Sequence, residues 1–502
     1  YVAAGINLNI PVVGSILRRG GAFFLRRTFS GNRLYAAVFH SYLKALQSRG
    51  YPLEYFIEGG RSRTGRLLAP KVGMLNMTIR AFADDRRRPV RFVPVYFGYE
   101  KLIEGTSFIG ELRGGEKRKE SLGGFFRSLR ALREQFGKVY VNIGEPIDLE
   151  TMLDTHAPQW RETAAGDSKP EWLPSVTDQL GWEVLERINS AAAVTPVSLL
   201  ALALLGTQRQ AMAEADLVQQ LRLYQALYRE TPYSDHVTLP AMSAEEIVQH
   251  GIRLGVIEIE THALGSIVHM PERQALLLTY FRNNILHLTA LHSLIAACYI
   301  HGKILPRSEL HRLIRLIAPF VRAELRLRWE AEDFGRVVDI VIESMCTHGL
   351  LEKEGDMLRR PNAGSALAFA LSQLGQSVVP ILQRYYMTIA LLNKHGSGTL
   401  SQARLEEICQ LSAERLTILY GMRSPDFFDR RLFRTFLGAL RERGVIDIDS
   451  ERQLTFDLKF DAIENDARLV LGEPLRHSIL TVTKVSREEK IERPAKEQEA
   501  AE

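Results

Sequence analysis

YPLEYFIEGGRSRTGRLLAPK, Tyr51 to Lys71, gathers two carboxylates, four cationic side chains and a glycine pair at the end of an apolar run. Leu53, Tyr55 and Ile57 alternate with Glu54, Phe56 and Glu58, which predicts a largely buried strand ending at Glu58. Gly59 and Gly60 then let the backbone turn with positive φ and approach a ligand closely. Arg61, Arg63 and Arg66 supply guanidinium forks and Lys71 a point charge, and guanidinium forks match phosphate oxygens with paired charge-assisted hydrogen bonds. An isolated arginine here would read as a solvated side chain pairing with local acids. Four cations with two glycines at a strand end point instead to a phosphate site. Gly60 to Leu67 follows the G-x-x-x-x-G-K-[ST] spacing of a nucleotide loop only until Arg66 and Leu67, and without the terminal hydroxyl there is no magnesium ligand. The nucleotide reading is therefore set aside.

Outward from this stretch, residues 1–148 alternate short apolar strands with helices, predicting an α/β domain with a mostly parallel sheet and flanking helices. Tyr1 to Ala4 and Ala22 to Arg26 read as strands, and Pro11 to Arg19 as a short helix. Asn32 can cap a longer helix on which Leu34, Val38, Tyr42 and Leu46 recur at helical spacing before Gly50 ends it. Val72 to Phe82 and Leu122 to Phe136 read as helices, Val90 to Phe97 and Val139 to Ile143 as strands. Pro94 inside an apolar strand implies an edge or a bulge, where a groove can open. Residues 149–176 are Pro-rich and weakly periodic, predicting a linker. Residues 177–484 read as a mainly α-helical domain. Three segments in it, beginning at His250, Met345 and Leu440, each run helix, glycine, short strand, polar turn, second strand, a winged-helix-like pattern. Glu258, Glu260, Glu352, Glu354, Asp447 and Asp449 on or beside those strands would repel nucleic-acid phosphates, so the units read as structural or partner-docking modules. Residues 485–502 hold almost no apolar side chains and read as a disordered tail.

The 502 residues, 46% hydrophobic and 25% charged, have the balance of a globular protein of more than one domain. No run of 18 apolar residues exists, and VTPVSLLALALLG, Val194 to Gly206, reads as a core helix rather than a membrane span. The first residue is Tyr and no signal peptide follows it, so the chain is expected to begin inside a longer protein. Cys298, Cys346 and Cys409 are odd in number and lie in apolar helical surroundings, as reduced thiols of a cytoplasmic protein would. Neither a C-x-x-C pair nor an H-x-x-x-H spacing occurs, and no metal or other cofactor is expected. Residues 1–100 carry 16 Lys and Arg against 5 Asp and Glu, or +11, whereas the whole chain carries +5, leaving −6 for the remaining 402. That basic front suits an anionic ligand, be it a phosphorylated substrate, the phosphates of coenzyme A or an anionic lipid surface.

FIEGGRSRTG resembles the third conserved block of the glycerol-3-phosphate acyltransferases of the large, membrane-associated bacterial type. GAFFLRRTF, Gly21 to Phe29, is similar to their second block, and VRFVPVYFGYE, Val90 to Glu100, to their fourth, in the family's order and with similar spacing. Fainter likeness runs through TPYSDHVTLP, Thr231 to Pro240, and YFRNNILH, Tyr280 to His287. The resemblance implies an acyltransferase domain, incomplete at its start, that transfers a fatty acyl group from acyl-coenzyme A or acyl carrier protein to the sn-1 hydroxyl of glycerol 3-phosphate. It implies work at the cytoplasmic face of the cell inner membrane, peripherally, in phospholipid synthesis.

By the family's pattern the substrate-binding positions are Arg27, Glu58, Gly59, Arg61 and Arg63, with Pro94 and Tyr96 on the acyl-donor side. Arg26 and Arg27 point to opposite faces of a strand, and the pattern selects Arg27 for the site and Arg26 as a structural partner. The chemistry assigns phosphate clamping to Arg61 and Arg63, backbone donors to Gly59 and Gly60, and alignment of the glycerol hydroxyls to Glu58. Ser62 is an extra donor, although a hydroxyl there more commonly bonds its own turn. Arg86, Arg87 and Arg88 read as a solvated turn. The family's base is a histidine in an H-x-x-x-x-D block lying before the segment equivalent to Gly5–Asn9. None of the 13 histidines has Asp five positions on, so the catalytic pair is expected upstream of Tyr1, and His40 reads as structural. The alternatives are acylation of another phosphorylated acceptor and a non-catalytic partner-docking module.

Overall fold

The computed structural model describes residues 1–26, 31–60, 62–102, 136–162, 170–207, 209–330, 332–420, 427, 429–457 and 460–483. They divide into two compact units: Tyr1–His292 with Leu325–Leu351, and Ser293–Glu324 with the residues from Glu352 on.

The first unit opens with β1 (Val2–Gly5), α1 (Val13–Arg19) and β2 (Ala22–Leu25), the two strands parallel with Val2 opposite Ala22. In α2 (Arg33–Ser48) the Asn32 side chain accepts from the Tyr35 N–H at 2.9 Å, capping the first turn as predicted. Its buried face carries Phe39, Leu43 and Leu46, against α3 (Gly73–Asp84). Of the stripe Leu34, Val38, Tyr42 and Leu46, the last is buried while Leu34 is 76% and Val38 61% exposed. Two apolar stripes compete on this helix, and the bulkier one, with Phe39, takes the core.

Tyr51–Glu58 keeps the predicted alternation, Leu53, Tyr55 and Ile57 being more buried than Glu54 and Phe56, but it is not the central strand of a ladder. Among the described residues its sheet pairing is one parallel bridge, Glu54 to Val2, with Ala3 N donating to Glu54 O and Glu54 N to Tyr1 O, both at 2.8 Å. Its other side borders an open cleft, so no second row of hydrogen bonds extends the strand. The strand expected over Val90–Phe97 divides at Val93 and Pro94 into β3 (Arg91–Phe92) and β4 (Val95–Tyr99). Proline has no N–H to give the ladder, and the Pro94 carbonyl instead accepts from Gly144 N at 2.8 Å. β4 pairs with β5 (Val139–Ile143) and β3 with β6 (Ile147–Asp148), both antiparallel. The mostly parallel sheet is thereby corrected: β1 and β2 are parallel, and the two later pairs are not.

The stretch 149–176 is no linker where it is described. Asp148 caps α4 (Leu149–His156), accepting from Thr151 N at 3.1 Å, and a 3-10 turn follows at Pro158–Glu162. Leu149, Leu153 and Trp160 are buried in one core with Ile57, Ile79, Phe82 and, from α5 (Leu173–Ser190), Leu180. The first compact unit accordingly runs past 148 to His292 instead of closing there. The predicted helix over 122–135 and the tail over 485–502 lie outside the described residues.

From α6 (Pro196–Leu205), buried on every side as its all-round apolar sequence requires, the chain is helical with short strands. One order of elements recurs three times. The first set is α6, β7 (Ala211–Ala213), α7 (Glu214–Glu230), α8 (Ala244–Arg253), β8 (Glu258–Glu260) and β9 (Ile267–His269), with strand order β7-β9-β8. The second is α9 (Glu272–Ala297), β10 (Ile304–Pro306), α10 (Arg307–Leu325), α11 (Phe334–Thr347), β11 (Glu352–Glu354) and β12 (Met357–Arg359), with order β10-β12-β11. After α12 (Ala366–Gln376) come α13 (Val379–His395), α14 (Gln402–Tyr420), α15 (Arg430–Glu442), β13 (Ile446–Ile448) and β14 (Leu454–Phe456), where Ser401 bridges Gln453 in place of a third strand. Two further helices, Phe460–Val470 and Glu473–Thr483, belong to the second unit. Among the described residues no single helix is long and apolar enough to cross a membrane. The three cysteines are free thiols, and burial pushes Cys298 and Cys409 up to about 12.

Candidate active site

The cleft beside Tyr51–Glu58 lies within the first unit and has a volume of about 1520 Å³. Tyr51 to Glu58, with Gly60, Ser62, Gly65 and Arg66, form one wall, and Arg88 to Phe97 form the other. Tyr280 and Asn284 of α9 also line it. Charged and hydroxyl groups (Glu58, Ser62, Arg66) therefore share one hollow with an apolar surface of Leu53, Phe56, Val93, Phe97 and Val139.

The cleft brings together Glu58, Gly60, Ser62, Pro94 and Tyr96 of the residues singled out from sequence. Glu58 is half-buried, and Tyr280 lines the same cleft: burial first, then the charges of Glu58 and Tyr99, push the Tyr280 hydroxyl up to about 12. Tyr96 is buried, and burial, with Tyr280 nearby, raises its hydroxyl above the usual phenol range. Ser62 is not the turn hydroxyl of the common case. Its Oγ is buried without a hydrogen-bond partner among the described residues, on a residue that lines the cleft.

Gly59 requires a correction. Its N–H donates to the Phe56 carbonyl at 3.0 Å, so that hydrogen serves a turn rather than a ligand. The residue is glycine because φ is +56° and because a Cβ would sit 2.7 Å from Lys71 Cγ. Arg63 is half-buried and outside the cleft lining, while Arg27 and Arg61 lie outside the described residues. Arg26 places its guanidinium carbon 5.0 Å from the Tyr35 ring centre, a structural cation–π contact. Arg86 stacks on Trp160 at 4.7 Å, Arg87 pairs with Asp85 at 2.6 Å, and Arg88 donates to Ser48 O at 3.0 Å, so each of this trio has a local partner.

The family's pattern left Arg66 out of the site, and the sequence reading gave Tyr280 and Asn284 no place in it. Arg66 was visible in the cationic loop, and its burial on the cleft is what sets it apart. Tyr280 and Asn284 belong to YFRNNILH, where two adjacent asparagines inside an apolar helix were the available signal, since asparagine is a poor helix former. No histidine lines the cleft among the described residues. His40 Nε2 lies 3.1 Å from Asp84, between α2 and α3, and His250 Nε2 lies 2.9 Å from the fully buried Glu100. Tyr140 Oη and Lys138 N donate to the same Glu100 carboxylate, both at 2.8 Å.

A family model described as Acyltransferase matches residues 1–98, and one described as Glycerol-3-phosphate acyltransferase C-terminal region matches residues 108–449. The chain belongs to the glycerol-3-phosphate acyltransferase family. It is 45% identical over 496 residues to a glycerol-3-phosphate acyltransferase of Pseudomonas entomophila (strain L48), covering 98% of this chain and 60% of that protein. Against that of Pseudomonas aeruginosa (strain UCBPP-PA14) the figures are 45% over 499 residues, 99% and 59%. Against that of Pseudomonas putida (strain KT2440) they are 45% over 484 residues, 96% and 58%. The chain thus spans about 60% of the length of these curated glycerol-3-phosphate acyltransferases. The acyltransferase match ends before Tyr280, so the cleft draws its walls from both matched regions.

Proposed function

We propose that the protein containing these residues transfers a fatty acyl group from acyl-coenzyme A or acyl carrier protein to the sn-1 hydroxyl of glycerol 3-phosphate, as the first step of phospholipid synthesis. The observation that carries this reading is the cleft in which Glu58, Ser62 and Arg66 share a hollow with Phe56, Val93, Phe97 and Val139. A small phosphorylated polyol needs the first group of residues, and an acyl chain needs the second. In the reaction the acceptor oxygen attacks the thioester carbonyl, a C–O bond forms, the C–S bond breaks, and the hydroxyl proton passes through a base to the leaving thiolate. We assign that base to a histidine with its aspartate outside residues 1–502. The pairing of His40 with Asp84 and of His250 with Glu100, off the cleft, supports this. Arg27, Arg61 and Arg63 remain the proposed phosphate holders beside Arg66, with Pro94 and Tyr96 toward the donor.

The proposed setting is peripheral, at the cytoplasmic face of the inner membrane. Exposed Val12 and Ile16 at α1, and Leu34 and Val38 on α2, lie near Arg18, Arg19 and Arg33 in sequence, a composition suited to an anionic bilayer surface. The three recurring sets of elements are proposed to be winged-helix-type modules that dock structure or partners. Exposed Glu258, Glu260 and Glu354 on their strands disfavour nucleic acid.

The test uses full-length protein with labelled acyl-coenzyme A and glycerol 3-phosphate, dihydroxyacetone phosphate and lysophosphatidate in competition. Preferential acylation of glycerol 3-phosphate is expected. Arg61→Ala should raise the acceptor KM by about ten-fold or more at unchanged donor KM, the loss typical of a charge-assisted bond. Preference for another acceptor, or an unmoved acceptor KM, would refute the assignment.

A further inference from the structure

Thr64 and Arg66 are buried although they belong to a short polar loop, and what buries that loop comes from far along the chain. Asn283 Nδ2 donates to the Thr64 carbonyl at 2.7 Å, across 219 positions of sequence. The orientation of this amide is set from behind: Arg282 donates from Nε and Nη2 to Asn283 Oδ1 at 3.1 and 2.8 Å, leaving the NH2 end for the loop. Both residues are buried, so water does not offer their groups an exchange. One residue on, Gly65 has φ +78°, and a Cβ there would lie 2.1 Å from the Tyr280 carbonyl and 3.0 Å from Asn284 Oδ1. The loop backbone rests directly on α9. Tyr280 and Asn284 then line the same cleft as Glu58, Ser62 and Arg66.

From this geometry we infer that α9 is a working part of the acceptor site. Asn283, oriented by Arg282, is the positioning residue for the loop Ser62–Arg66, and Tyr280 tunes the surroundings of Glu58. The inference rests on the acceptor assignment made above. A loop held only by its own turn would let Ser62 and its neighbouring guanidinium groups drift. Anchoring Thr64 and Gly65 to a helix fixes the backbone between Arg63 and Arg66, two residues past Ser62, before ligand arrives. Tyr280 lines the same cleft as Glu58, and its hydroxyl, a phenol that is protonated at neutral pH, is able to donate there.

The experiment compares wild-type full-length protein with Asn283→Asp, which keeps the shape but loses the donor toward Thr64, and with Tyr280→Phe. A positioning role predicts an acceptor KM raised about ten-fold in Asn283→Asp and about three-fold in Tyr280→Phe, with the donor KM unchanged. An unmoved acceptor KM, or a parallel loss for both substrates, overturns the inference. Should Asn283→Asp fail to fold, Tyr280→Phe decides alone. Should wild type not acylate glycerol 3-phosphate, the acceptor assignment fails by itself, and calorimetric titration with inorganic phosphate decides the inference separately. Weaker phosphate binding in the folded variant supports it, and equal binding overturns it.

Discussion

A serine that follows a glycine pair ordinarily returns its hydroxyl to its own backbone, yet Ser62 keeps Oγ buried on the cleft with none of the described residues as partner. Burying an unpaired hydroxyl costs stability that a ligand hydrogen bond would recover. Ser62→Ala is therefore expected to raise the acceptor KM about three- to ten-fold while leaving the urea unfolding midpoint equal or higher. A lower midpoint with an unchanged KM would give the hydroxyl to the fold instead. At this scale the sequence was legible in singling out Glu58 and Ser62, both of which line the cleft. It was not legible where a distant neighbour decides. Gly59 looks like a place for a ligand to approach, but Lys71 occupies that space. Tyr280 belongs to the cleft only because a helix folds back on the loop, and no spacing rule connects positions so far apart.

Helix α9 carries a pH dependence of its own. His287 and His292 are buried, and burial lowers both to about 4 from an ordinary 6.5, against the partial support His287 gains from the Asn189 carbonyl 3.0 Å away. Well above pH 6.5 both are neutral whether the chain is folded or not, and the contribution to stability is complete. Between 6.5 and 4 the unfolded chain takes up protons that the folded chain refuses. Stability should fall with decreasing pH by roughly 1.4 kcal/mol per unit for each histidine. Urea midpoints at pH 7 and pH 5 test this, the slope being expected to flatten in His292→Gln. An identical slope in the variant would place the acid sensitivity elsewhere. Elements of this kind were legible in outline: helices announce themselves through local caps and periodicity, as Asn32 does for α2. Strands do not, because a ladder needs a partner at the right distance. Tyr51–Glu58 has the alternation of a strand and a cleft where its neighbour would stand. The same lack of outside information leaves the spacing of Leu34 and Val38 silent on which side of α2 is buried.

Over the whole molecule, the boundary drawn at 148 fails for a reason of bulk. Ile57, Leu75, Ile79 and Phe82 share their core with Leu149, Leu153, Trp160, Leu173 and Leu180. Trp160 stacks on Phe82 at 5.6 Å between ring centres and donates from Nε1 to Asp154 at 2.8 Å. A fragment ending at residue 148 strips that core of most of its buried members and is expected to lack a cooperative thermal transition by circular dichroism. A sharp transition in the fragment would restore the boundary. Composition misled here because prolines mark turns between packed elements as readily as they mark loose tethers. The first unit also recruits Leu325–Leu351 after the second has begun at Ser293. In the second, β10 finds its partner β12 only some fifty residues later. On a ribosome neither unit is complete when its first part emerges. The nascent polypeptide must hold apolar α7 and α9 surfaces in an unfinished state until Leu351 has been added, which at ~5–20 residues per second is a wait of seconds in which a chaperone has something to do.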